Sequence, residues 1–155
     1  MRELDRIDRQ ILDILQRDGR IAMTDLAARV NLSASPCSER VKRLEREGVI
    51  TGYHARVDPA ALEKRLLVFL NIKLSAKSGD VFDKVREELL LVPEVMECHL
   101  MSGDFDYLVK ARLSEMSAYR KLLGDILKRL PAAAESRSYV VMEEIKETLY
   151  LPVDR

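Results

Sequence analysis

The chain has 155 residues, enough for one sizeable domain or two small ones. A hydrophobic fraction of 47% excludes a largely disordered protein, and a charged fraction of 34%, balanced at 26 basic and 26 acidic residues, excludes a uniformly basic nucleic-acid coat while leaving room for a local basic patch. Two cysteines, Cys37 and Cys98, are too few and too scattered for a disulfide framework or a paired-cysteine metal site, and no apolar run approaches the roughly 18 residues of a membrane span.

The acidic start MRELDRID lacks the basic and apolar regions of a secretion signal, so a cytoplasmic location is expected. Ile7, Ile11, Ile14 and Leu15 then recur at helical spacing, with Asp5 and Asp8 near the end where the helix dipole favours acid; Asp18 and Gly19 end this helix. Thr24 reads as the cap of a short helix that turns Leu26, Ala27 and Val30 inward. Asn31 and Leu32 make a turn, and Ser35 before Pro36 has the pairing of an N-cap and a first helical position. That next helix runs to Glu47 and stops at Gly48, a C′ glycine. At 100° per residue, Cys37, Val41 and Leu44 share one side of it, Glu39, Lys42 and Arg46 point away, and Ser38 and Arg43 lie on the flanks. A solvated amphipathic helix would show the same charges. The short helix just upstream, joined by a tight turn, favours a helix-turn-helix whose second helix enters a DNA groove. Residues 29–56 hold six Lys or Arg against three Glu, a modest basic patch. VITGYHARV after Gly48 reads as a short strand or wing carrying His54, and Asp58-Pro59 opens a brief turn, taken as a hinge over 58–65.

From Leu66 the pattern alternates regularly. Strands are expected over 66–75, 95–102, 107–113 and 136–145. Helices are expected from a cap at Asp80 with Phe82, Val85, Leu89 and Val92 inward, and from Ser114 with Met116, Tyr119, Leu123, Ile126 and Leu130 inward. Proline closes each helix, at Pro93 and Pro131. The order βαββαβ is the ferredoxin-like arrangement, with both helices on one face of an antiparallel sheet. The class is therefore α+β: a winged helix-turn-helix over 1–57 and a ferredoxin-like domain over 66–155. LLVFL at 66–70 and YVVM at 139–142 are apolar on both sides, and an uncovered apolar sheet face is normally a partner surface, so a homodimer through this domain is expected.

Between the second and third strands stands Gly103-Asp104-Phe105-Asp106. A tight hairpin turn explains Gly and Asp there on conformational grounds alone. Backbone amides of such a turn also suit a carboxylate, and an aspartate suits an ammonium group, the two needs of a free amino acid. Paired carboxylates could serve acid–base catalysis with His99, yet no nucleophile elbow, phosphate loop or metal cluster accompanies them, so neither catalytic nor metal-binding residues are assigned. Cys37 is expected as a small buried hydrophobe, and adjacent Cys98 and His99 would point to opposite faces of a strand, unsuited to sharing one ion.

LDRIDRQILDILQRDGRI, SASPCSERVKRLEREGVITGY, ECHLMSGDFDYLVKAR, MSAYRKLLGD and SYVVMEEIKE together resemble the Lrp/AsnC family of bacterial regulators, and within it the leucine-responsive and alanine-catabolism members, over essentially the whole chain. The resemblance implies an N-terminal winged helix-turn-helix and a ligand-sensing, oligomerising domain. It further implies dimers that assemble further, often to octamers, on double-stranded DNA, a small amino acid as effector, and no other cofactor. Carried onto this sequence, the DNA-reading motif spans 23–42 and takes in Met23, Thr24, Ser33 and Pro36. Ser35, Ser38, Glu39 and Lys42 are candidates for base contacts, and Arg40, Arg43, Arg46, Thr51 and His54 for phosphate contacts. The resemblance also turns Gly103, Asp104 and Asp106 into effector contacts, joined by Tyr139, Val140 and Val141 on the last strand. A long basic extension before the first helix, usual in the family, is absent, which implies weaker nonspecific DNA affinity. The function expected is a sequence-specific regulator whose DNA affinity or assembly answers to leucine, alanine or a similar amino acid. The alternative is an architectural, ligand-independent DNA-binding protein.

Overall fold

Asp5 starts the first helix, α1 (Arg6–Arg17), by accepting a hydrogen bond from the Asp8 amide at 2.8 Å, while the Asp8 carboxylate accepts from the Asp5 amide at 3.3 Å, a reciprocal cap. The computed structural model describes residues 3–154, apart from the side chains of Ala133 and Ala134, so the first two residues of the acidic start lie outside the described residues. Helices α2 (Met23–Arg29) and α3 (Ala34–Arg46) complete a three-helix unit around Ile11, Leu26, Val30, Cys37, Val41 and Leu44. The turn between α2 and α3 places Asn31 at φ 56°, a left-handed conformation in which asparagine is enriched. Gly48 at φ 71° reverses the chain after α3, and the amides of Val49 and Ile50 both donate to the Leu44 carbonyl, at 2.9 and 3.1 Å.

In this first unit, local boundaries differ from the sequence reading in three places. Thr24 does not cap α2; Ala22 holds that position and offers no side-chain acceptor. Ser33, not Ser35, is the N-cap residue of α3, and Pro36 is tolerated inside the first turn because an amide there has no intrahelical acceptor to lose. The segment after Gly48 forms no strand; a lone extended segment has no partner among the described residues to ladder with. Tyr53 instead ties it to α3 by donating its hydroxyl to Glu45 at 2.9 Å, and burial with that carboxylate pushes the phenol up to about 12.

The second part of the chain runs β1 (Leu66–Leu74), α4 (Gly79–Leu90), β2 (Val95–Leu100), β3 (Tyr107–Leu113), α5 (Met116–Arg129) and β4 (Ala133–Val140), in an antiparallel sheet ordered β2-β3-β1-β4. Period-two alternation turns Val68, Leu70, Ile72 and Leu74 of β1, with Val109 and Ala111 of β3, toward Val85 and Leu89 of α4 and Tyr119 and Ile126 of α5. Ser78, not Asp80, is the N-cap of α4, Glu115 rather than Ser114 that of α5, and β4 begins earlier and ends earlier than expected.

The opposite sheet face is not the bare apolar surface that the sequence suggested. Leu67, Phe69, Leu108 and Tyr139 alternate there with Lys110, which lies 2.9 Å from Glu97, and with Arg112, only 7% exposed and paired with Glu144. Exposed apolar side chains gather at the edges instead: Met96 and Leu100 on β2, Tyr139 and Val140 on β4, and Met142 and Ile145 beyond it.

Two compact units result, Met1–Arg56 with Lys146–Arg155, and Val57–Ile145. The final residues, expected with the second domain, thus pack in the first unit. The Gln16 amide exchanges two hydrogen bonds with the Leu151 backbone at 2.7 and 3.0 Å, the Tyr150 hydroxyl donates to Asp13 at 2.6 Å, and the Arg17 guanidinium lies 4.4 Å above the Tyr150 ring.

Candidate nucleic-acid interface and effector turn

The stripe of Cys37, Val41 and Leu44 anchors α3 in the first core, which fixes what its other side presents. Ser35, Pro36, Glu39, Lys42 and Arg46 are exposed and Ser38 is half-buried. At the motif's entry Thr24 and Ser33 are exposed and Met23 half-buried, and Thr51 and His54 are exposed beyond α3. Lys42 and Arg46 make no ion pair among the described residues and are available to an external anion.

Arg40 and Arg43, expected as phosphate contacts, face α1 instead. Arg40 Nη1 lies 2.6 Å from Asp5 Oδ2 and 2.8 Å from Asp8 Oδ1, and Arg43 Nη2 reaches that same Asp8 oxygen at 2.6 Å. Asp8 is 2% exposed, so a dry carboxylate holds two cations against one oxygen. The Arg40 guanidinium, with the Asp8 amide, holds the Asp5 carboxyl below its ordinary range. These pairs brace the reading helix from behind. The sequence reading passed over Asp8 in this role, although its spacing from Asp5 was visible. Cys37 is fully buried, and desolvation pushes its thiol up, as suits a packing residue.

In the second unit, Gly103 has φ 151°, a conformation that disfavours any side chain, and the space where a Cβ would stand is open. Asp104 is exposed, whereas Asp106 is 5% exposed and bonded on all sides. Its amide donates to Ile72 at 2.9 Å, its carbonyl accepts from Met101 at 2.8 Å, Oδ2 accepts from the Leu74 amide at 2.8 Å, and Oδ1 lies 2.8 Å from Lys77 Nζ. Burial pushes its carboxyl up, but the Leu74 amide, Lys77 and Lys73 outweigh burial and leave it below its ordinary range.

Tyr139, Val140 and Val141 stand elsewhere on the sheet. Tyr139 pairs across from Phe69, Val140 from Val68, and the Val141 amide donates to Leu67 at 3.0 Å. Asp106 meets β1 at Ile72, three to five residues along the strand from Phe69, Val68 and Leu67, so the two groups stand about 10–17 Å apart at strand rise and on opposite sides of β1. One chain therefore does not bring the expected effector residues into a single cluster. A cleft of about 410 Å³, lined by Lys64, Pro93, Leu113, Lys121 and Ile126 among others, includes neither group. His99 Nε2 lies 3.3 Å from Glu97 on β2, and no cluster of potential metal ligands occurs among the described residues. No helix among them is long and apolar enough to cross a membrane.

Known proteins match both units. Residues 4–51 match the winged helix-turn-helix DNA-binding family, and residues 67–151 match the Lrp/AsnC ligand binding domain. The chain is 54% identical over 147 residues to leucine-responsive regulatory proteins of Klebsiella pneumoniae and Escherichia coli K12, a span covering 95% of this chain and 90% of each relative. Among solved structures, a transcriptional regulator of Neisseria meningitidis in complex with L-Met superposes with a TM-score of 0.91 at 33% identity, covering 98% of both chains. An AsnC family transcriptional regulator from Agrobacterium tumefaciens gives 0.91 at 36% identity, covering 96% of both. With both units matched and more than half of the aligned residues shared with these regulators, the chain belongs to the Lrp/AsnC family: it is a DNA-binding transcriptional regulator with an Lrp/AsnC ligand binding domain, and not an enzyme.

Proposed function

We propose that this regulator acts in the cytoplasm, reads double-stranded DNA with the outward side of α3, and alters its DNA affinity or assembly on binding leucine, alanine or a similar small amino acid, with no other cofactor. The observation that carries the reading is the presentation of Ser35, Glu39, Lys42 and Arg46 on a helix whose opposite side is locked by its core stripe and by Asp8. Ser35, Ser38, Glu39 and Lys42 reach base edges, while Arg46, Thr51 and His54 reach phosphates. Met23, Thr24, Ser33 and Pro36 line the motif's approach to the backbone.

The effector is held by Gly103, Asp104 and Asp106 together with Tyr139, Val140 and Val141 contributed by a second copy. The separation of about 10–17 Å along β1, with the two groups on its opposite sides, supports a site completed between copies. Apolar edges on β2 and beyond β4 support a homodimer that assembles further, to a form such as an octamer. Effector can shift that assembly only by binding one state more tightly than another.

One observation favours a ligand-independent, architectural reading: Asp106 is fully satisfied within its own chain, as a purely structural turn residue would be. A thermal-shift screen against the common amino acids at millimolar concentration separates the two. A ligand at one hundred times its dissociation constant stabilises the native state by about 2.7 kcal/mol. Stabilisation confined to small apolar amino acids supports the effector reading; no stabilisation by any of them overturns it in favour of the architectural one.

A further inference from the structure

Asp106 Oδ2 is fixed by the Leu74 amide at 2.8 Å, leaving Oδ1 as the oxygen open to a cation. That oxygen is held at 2.8 Å by the ammonium of Lys77. The two partners differ sharply in mobility of setting: the Asp106 side chain is 7% exposed and tied to the sheet, whereas Lys77 is 52% exposed and belongs to the irregular segment between β1 and α4. A lysine ammonium and the ammonium of a free amino acid are the same hydrogen-bonding group, a compact cation with three donors. Gly103, three residues before Asp106, leaves open space where any other residue would project a side chain.

We propose that Lys77 is an internal competitor for the effector's ammonium group, occupying its place on Asp106 and setting the concentration at which the amino acid takes over. This rests on reading the 103–106 turn as part of the effector site. Ligand ammonium and Lys77 exclude one another at Oδ1, so the apparent affinity is the intrinsic affinity reduced by the fraction of molecules in which Lys77 has let go. Lys73, the other cation acting on Asp106, lies 3.8 Å from Glu135 and is not displaced in the exchange. The affinity of the sensor is thereby tuned by a residue that never touches the bound ligand.

The test is calorimetric titration of L-leucine, L-alanine and L-methionine into the full-length protein and its Lys77→Met, Lys77→Gln and Lys77→Arg variants. Unliganded melting temperatures establish that each is folded. The lysine end of the pair is half-exposed and its hold correspondingly modest, so Lys77→Met and Lys77→Gln are expected to bind the amino acid about two- to fivefold more tightly. Lys77→Arg, which keeps a cation there, is expected to bind as the unchanged protein does. The same side chain without its ammonium, 4-methylpentanoate, is expected to gain nothing from Lys77→Met. Binding by Lys77→Met alone would also support the proposal. Equal or weaker binding by Lys77→Met and Lys77→Gln, with the unchanged protein still binding, would overturn the competitor and leave the effector site standing. No binding by any form would remove the effector reading and the competitor with it.

Discussion

Asp8 lies on the buried side of α1, one turn from Ile11, where it accepts two arginines of the reading helix, and its loss reaches well beyond a helix cap. Asp8→Ala leaves the half-buried Arg43 without its carboxylate and Arg40 with Asp5 alone. Removing one partner of a desolvated pair is strongly destabilising, so urea denaturation is expected to show a loss of about 2–4 kcal/mol. Lys42 and Arg46, turned outward, act differently. Lys42→Ala is expected to cost about 1–3 kcal/mol, concentrated at particular base pairs. Arg46→Ala is expected to weaken all sequences alike and to reduce the salt slope by about one unit. Operator titrations at several salt concentrations distinguish them, and unchanged affinity in both variants would remove α3 as the reading helix.

Acid sensitivity is also set by single residues. Folding lowers the Asp106 carboxyl below its ordinary value of about 3.9, so its contribution is complete above that value and is lost as pH falls through the lower, folded value. Asp5 shifts in the same direction. Unfolding free energy is therefore expected to fall below about pH 4, and more gently in Asp106→Asn than in the unchanged protein. Identical slopes in the two would show that Asp106 is not responsible.

At the scale of elements, α2 is the weakest start in the reading unit, because Ala22 sits at its N-cap with extended backbone and no acceptor. Ala22→Ser supplies the missing oxygen and is expected to stabilise by about 0.5–1 kcal/mol, read by chemical denaturation. The edge strands have the opposite difficulty: β2 is exposed along nearly its whole length, and the charge of Glu97, paired with Lys110, and the polar ring of His99 interrupt its apolar side chains. Such charges limit indiscriminate pairing of an edge. The α4 and α5 side of the sheet is closed by Leu70, Ile72 and Val109, which leaves β2, β4 and the mixed face for recognition.

For the whole molecule, assembly is the property on which the effector site depends. Met142 is fully exposed and Tyr139 is half-exposed, so neither is required to close the core of its own chain. Met142→Glu and Tyr139→Glu are therefore expected to leave secondary structure intact while shifting sedimentation velocity profiles toward smaller species. An unaltered profile in both would place the interface elsewhere. The carboxyl-terminal strap adds a second covalent path into the DNA-binding unit, since the chain that leaves β4 ends against α1 through Tyr150 and Leu151.

Local chemistry made much of this legible from the sequence by itself. Ile7 and Ile11, Cys37 with Val41 and Leu44, and Val85 with Leu89 mark helix faces through period alone, Gly48 marks a helix end through its permitted φ, and the strand over 107–113 matches β3 in full. The order of elements follows from those signals, and with it the α+β class. Whole-chain motifs then carried the family. Only the tertiary structure decided which polar groups are free. Arg40 and Arg43 lie among the basic residues of α3 and look available, yet acids of α1 hold them, with Arg40 and Asp8 separated by 32 positions. Asp106 looks like an exposed turn carboxylate, yet it is tied to Leu74, also 32 positions away, and the tail expected in the second domain joins Gln16 across 135 positions. Periodicity and turn preference act over a few residues and can be read along the chain; the pairing of a buried charge depends on which distant segments packing brings beside it.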